Sequence, residues 1–142
     1  MGNDSTVDLI NLGFNSSANK HKIIGGVALQ TDVIMDDATS LTPKYAIIDV
    51  ASSGDNTILA AVATKKIRVL SLFLISAGTV NARFEDDASG TALTGQMNFI
   101  ANTGIVLPFN PVGWFETSVN TLLNLELSAA VSCDGSFTYV EV

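Results

Sequence analysis

The sequence predicts an all-β chain, an antiparallel, jelly-roll-like β-sandwich with an extended N-terminal arm. Three observations point there. Apolar stretches of strand length recur about every 8–12 residues, separated by Gly-, Asn- and Asp-rich turns. No convincing apolar stripe of helical period interrupts them. The composition also changes at Pro43: residues 1–43 hold one of the chain's ten aromatic residues, Phe14, and the rest follow.

The arm is polar and acidic, with short apolar pieces at 7–12 and 23–29. It is too poor in large side chains to offset the entropy of folding alone. Its apolar residues, Val7, Leu9, Ile10, Leu12, Ile23, Ile24, Val27 and Leu29, suit it to lying along a neighbour or adding to a sheet edge. The alternative is an arm folded over its own sandwich or a neighbouring subunit. The domain boundaries read as 1–43 and 44–142.

The strands follow in order. Residues 45–50 are apolar apart from Asp49, and 52–56 have turn chemistry. Residues 58–63 form a small-residue strand, and Thr64-Lys65 a tight connection. Residues 66–77 are the longest apolar run, which a buried helix would also fit. The β-branched Ile67, Val69 and Ile75, and a stop at Gly78-Thr79, favour a strand. Its second half is apolar on both faces, so it needs two covers. Leu70, Leu72 and Leu74 are therefore expected at an oligomer interface or under a second layer.

Val80, Ala82 and Phe84 alternate with Asn81, Arg83 and Glu85, before a turn at 86–90. Short strands are expected around Met97 and Phe99 and at 105–107, the latter stopped by Pro108 and Pro111. Leu123, Leu125, Leu127 and Ala129 alternate cleanly with polar residues. Asp134-Gly135 reads as a hairpin turn before a last strand, 137–142.

A chain of 142 residues is one domain by length and can fill a core without staples. Only 15% of residues are charged, against 47% hydrophobic, so apolar surface is left over for an oligomer or a docked partner. A net charge of −7 argues against nucleic acid as a partner. No run is long enough to span a bilayer, and the polar N-terminus has no signal-like apolar segment. The single cysteine, Cys133, excludes an intrachain disulfide and reads as a buried thiol.

The search for chemistry finds no active site, and the chain is expected not to be an enzyme. His21, the only histidine, lies in the arm, where a catalytic base would not be held in place. Glu85-Asp86-Asp87 before Gly90 is the best metal candidate, but its spacing is not that of an EF-hand, and an acidic turn explains it. No metal or cofactor is expected. Trp114 with Tyr45 and Tyr139 would suit a sugar platform; set beside Phe115, Trp114 reads instead as a structural anchor, together with that residue.

Several pieces recur in order: Ser53-Gly54-Asp55-Asn56-Thr57, Lys66-Ile67-Arg68-Val69-Leu70, Leu93-Thr94-Gly95, and Val106-Leu107-Pro108 continuing to Gly113-Trp114-Phe115. Leu127-Ser128-Ala129-Ala130 and the terminal Tyr139-Val140-Glu141-Val142 complete the set. This set resembles a small β-sandwich of virion structural proteins of tailed bacteriophages, found as capsid decoration (cement) proteins and as fibre modules. Where such domains usually carry Gly before Leu122, this chain has Asn120, which also tolerates a left-handed backbone. Cys133 stands where small or apolar residues are usual.

The resemblance implies a capsid decoration protein on the exterior of the virion, made in the host cytoplasm. Its partner would be the major capsid protein, with the arm as staple. A homotrimer follows by analogy with shell proteins at threefold positions. The alternative is a receptor- or glycan-binding module of a fibre or tail, with Trp114 as platform.

Overall fold

The computed structural model describes residues 34–36 and 39–142, all strand, turn and loop. The chain divides into two units, 1–32 and 33–142. His21 and the proposed capsid-binding residues Val7, Leu9, Ile10, Leu12, Ile23, Ile24, Val27 and Leu29 lie outside the described residues.

A small hairpin pairs β1 (Ile34–Asp36) with β2 (Thr39–Leu41). Both strands fall in the stretch read as arm, yet they belong to the same unit as the sandwich. Ten further strands follow: β3 (Lys44–Val50), β4 (Gly54–Leu59), β5 (Ile67–Ser76), β6 (Val80–Asp86), β7 (Thr91–Ala92), β8 (Met97–Phe99), β9 (Thr103–Leu107), β10 (Phe115–Glu116), β11 (Leu123–Leu127) and β12 (Cys133–Glu141).

Pairing is antiparallel and nested. The first strand of the sandwich pairs with the last (β3 with β12) and the second with the next to last (β4 with β11). Then β5 pairs with β9 and β10, and β6 with β7 and β8. A long hairpin rolled up in this way is a jelly roll. Rolling adds the pairs β12–β5 and β11–β6 and closes two sheets. Sheet I runs β3-β12-β5, with β9 and β10 sharing its far edge; sheet II runs β4-β11-β6, with β7 and β8 sharing its far edge.

The core lies between the sheets. Ile48, Ile67, Val69, Leu72, Leu74, Phe137 and Tyr139 from sheet I meet Val80, Ala82, Phe84, Phe99, Leu123, Leu125 and Leu127 from sheet II. Phe115 packs against this core, with its ring 5.0 Å from that of Phe84. Cys133 is buried among the same side chains, and burial raises its thiol pKa, as for a structural residue.

The second cover of β5 differs from expectation. Leu72 and Leu74 are in the core and not at a second layer. Leu70 alone of the three faces away, because the β12–β5 register shifts between Thr138 and Tyr139 and breaks the alternation of side chains. It is buried with Val140, and Leu41 and Val142 pack against them. The outward side chains of β5 beyond this cover are Phe73 and Ile75, both exposed.

Two local readings also change. The small-residue strand expected at 58–63 lies earlier, at β4, because Asn56 turns its amide back onto the Ser52 and Gly54 carbonyls and the strand starts inside the turn. Asp134-Gly135 is no hairpin; it sits inside β12, between β3 and β5. Asn120 adopts a left-handed backbone, φ 65°. Its side chain accepts a hydrogen bond from the Thr64 N–H, tying two loops together.

Candidate functional site

The two outer faces of the sandwich are chemically opposite. Along sheet II, the outward residues of β6, β11 and β4 are polar: Asn81, Arg83, Glu85, Asn124, Glu126, Asp55 and Thr57. Arg83, Glu85, Asn124, Glu126 and Asp55 pair with one another, although the buried Asn124 Oδ1 has no hydrogen-bond partner among the described residues. The Arg83 guanidinium reaches Glu85 at 2.7 Å and Glu126 at 2.6 Å. The Asn124 amide donates to Asp55 at 2.7 Å and Glu85 at 3.1 Å. Ser89, from the β6–β7 loop, donates its N–H and hydroxyl to Asp55. Glu85 and Asn124 are fully buried by this arrangement. Buried charge is tolerated there because it is paired.

The acidic run of the β6–β7 turn does not converge on a cation. Glu85 turns to Arg83, and Asp86 accepts from the Ser118 N–H and the Thr121 hydroxyl. Asp87 accepts from the Ala88 N–H. Among the described residues no group of three His, Cys, Asp or Glu side chains is placed to hold a metal.

Along sheet I, strand register sets one row across four strands, three apolar side chains and a serine. Ile47 of β3 lies opposite Ser136 of β12, Ser136 opposite Phe73 of β5, and Phe73 opposite Val106 of β9. Tyr45 and Ile75 stand on neighbouring rows, the first shared with Thr138 and Ser71 and the second with Asp134 and Asp49. These side chains are open to solvent: Tyr45 82%, Ile47 70%, Phe73 47% and Val106 74%. Ser71, Ser136 and Thr138 leave a shallow hollow beside Phe73 and Val106. An apolar field of this kind is what a docking surface presents.

The β9–β10 loop flanks this face. Asn110 and Trp114 donate their N–H groups to the Leu70 and Val69 carbonyls, continuing the ladder past Pro108 and Pro111. Trp114 is 44% exposed, and its indole N–H donates to the Pro108 carbonyl at 2.8 Å. The anchor role expected for it therefore falls to Phe115 alone, since alternation turns Phe115 inward and Trp114 out. The three aromatics of a sugar platform do not assemble: Tyr139 is in the core, and Tyr45 is on the opposite edge strand of sheet I. Sequence reasoning missed Tyr45, Ile47 and Val106 as surface residues. Their signal is alternation within β3 and β9, masked because the neighbouring inward residues Ala46, Ile48, Ile105 and Leu107 are also apolar.

At one end of the face, Glu116 accepts from Lys66 and Arg68, each at 2.8 Å. Lys66 and then Arg68, against partial burial, hold its carboxyl below the ordinary 4.5. Burial would raise Asp86, but its bonds from Ser118 and Thr121 outweigh that and leave it below 3.8. Both groups are depressed, so near pH 4 the unfolded chain binds more protons than the folded one. The stability they contribute is complete above their unfolded values and is lost as pH falls through their folded ones. Thermal melts should show Tm nearly flat in this respect from pH 6 to 5 and falling below pH 4. Glu116→Gln and Asp86→Asn should each flatten that fall; an unchanged slope in both variants would refute the assignment.

No protein-family model matches the chain, and no curated protein matches it.

Proposed function

We propose that this chain is a structural virion protein, a decoration protein that binds and stabilises the outer shell of a phage head. The observation that carries the reading is the row Ile47–Ser136–Phe73–Val106, backed by a sheet whose own outer face is polar and largely paired. A module with exposed apolar side chains on one face and a largely paired polar network on the other suits a surface attachment, apolar patch to the shell. The resemblance across residues 53–142 supplies the class of partner, the major capsid protein. The apolar residues at 7–12 and 23–29 offer a second contact by composition. Binding to the assembled lattice and not to its parts would stabilise the shell by mass action.

The test is co-sedimentation of the purified protein with assembled capsid shells. Wild type should pellet with shells, and Val106→Asp should pellet at least about tenfold less while melting normally, since an interfacial charge left unpaired costs more than 1.4 kcal/mol. Absence of shell binding, or binding indifferent to Val106→Asp, would remove the reading. A second reading, a glycan-binding module, is favoured by one observation, the half-exposed Trp114 ring beside Arg68 and Glu116. Glycan-array binding that Trp114→Ala abolishes would establish it.

A further inference from the structure

Of the four sheet edges, three are short or interrupted, and among the described residues nothing pairs with the fourth. The far edge of sheet I is split between β9 and the two-residue β10, with Pro108 and Pro111 between them. The far edge of sheet II is split between two- and three-residue strands. The near edge of sheet II, β4, starts at a left-handed Gly54, carries Asp55 and Asn56, and shifts register against β11. Short edges, prolines, charges and bulges are the usual protections against strand addition.

β3 follows Pro43 and carries Lys44 and Asp49, but its middle, 45–48, holds neither charge nor proline. It is seven residues long, Lys-Tyr-Ala-Ile-Ile-Asp-Val, and pairs with β12 without a register shift. Among the described residues no strand pairs with its other side. Tyr45 and Ile47 are its most exposed large side chains.

We infer that β3 pairs with β3 of a second copy, antiparallel about a twofold axis through Ile47. The strand is self-complementary about that residue and no other. The axis at Ile47 overlaps all of Lys44–Val50 and sets outward residues against outward ones. Ile47 then meets Ile47 of the partner subunit, and Tyr45 meets the partner's Asp49. The phenol can donate to a carboxylate that, within one chain, lies directly opposite Asp134, a like charge. Moving the axis to Ala46 would set Asp49 against Pro43, and moving it to Ile48 would set Asp49 against Ile47. The two sheets I become one continuous sheet, and the two rows join into one surface. This differs from the threefold assembly that analogy suggests, and it does not depend on the capsid reading.

The full-length chain tests it by light scattering and by crosslinking. Wild type should be a dimer at micromolar concentration. Ile47→Cys should form a covalent dimer under mild oxidation, since directly opposed Cβ atoms in an antiparallel pair come within disulfide reach. Val106→Cys, equally exposed but away from the axis, should not. Tyr45→Cys and Asp49→Cys should each fail alone and crosslink when combined. Ile47→Lys should raise the dimer Kd about tenfold or more, with a melt equal to wild type's at concentrations where both are monomeric. A monomeric wild type overturns the inference. So does any oligomer in which neither Ile47→Cys nor the Tyr45/Asp49 double variant crosslinks, as with a threefold assembly or a partner strand from elsewhere in the chain.

Discussion

Leu72→Asp is expected to abolish cooperative folding, and Phe73→Asp, one residue along the same strand, to leave the fold intact. Leu72 sits between the sheets at 3% exposure, in the core with Leu74, Phe84 and Phe137. Its burial contributes about 2–3 kcal/mol. An unpaired carboxylate in its place adds several kcal/mol more, against a total stability of about 5–15 kcal/mol for a domain of this kind. Phe73 points out of the sandwich, and Asp there gains water in place of a half-exposed ring, a change of about 1 kcal/mol or less in stability. Circular dichroism melts separate the two: no transition for Leu72→Asp, a near-native one for Phe73→Asp. On the proposed function, the second variant should then lose shell binding, because its charge lies in the row with Ile47 and Val106. A cooperative native-like melt for Leu72→Asp would mean the two faces of β5 have been assigned the wrong way round.

Gly135→Ala is expected to destabilise the domain by about 3 kcal/mol, although alanine normally suits a strand better than glycine. Gly135 lies in β12 between Ile48 and Leu74. A Cβ there would stand 2.0 Å from the Phe73 carbonyl oxygen and 3.1 Å from the Leu74 Cα, both backbone atoms of the central strand. They are held by the ladder and do not step aside as a flexible side chain would. Relief requires β12 or β5 to bend, at the centre of sheet I. Denaturant titration of Gly135→Ala against Gly95→Ala, where a Cβ would meet nothing, checks this. Equal midpoints for the two variants would show that the sheet absorbs the methyl.

The alternating strands were legible. In β6 and β11, polar and apolar residues take turns, so a period of two is visible in the letters, and those elements come out where the alternation places them. The buried sides of β3 and β9 were not separable from their exposed sides, because Ile47 and Ile48, or Ile105 and Val106, are alike in hydrophobicity. Turn chemistry was legible where it acts locally, as at Asn120, and misleading at Asp134-Gly135. There the glycine answers to the approach of a neighbouring strand and not to a change of direction.

By itself the sequence determined that this chain is all-β, a sandwich of short strands, and that more apolar surface exists than one core uses. Those properties depend on composition, on period and on residues close in the chain. Only the tertiary structure decided which side chains are the surplus. The register shift in β12–β5 sends Leu70 to a different face from Leu72 and Leu74, and a one-residue step in register reverses every side chain beyond it. Rolling the hairpin set Ile47, Phe73 and Val106 in one row, though they are far apart in the chain, and left β3 unpaired on one side among the described residues. Pairings of that range are absent from any local pattern, so the placement of these exposed side chains comes from the fold.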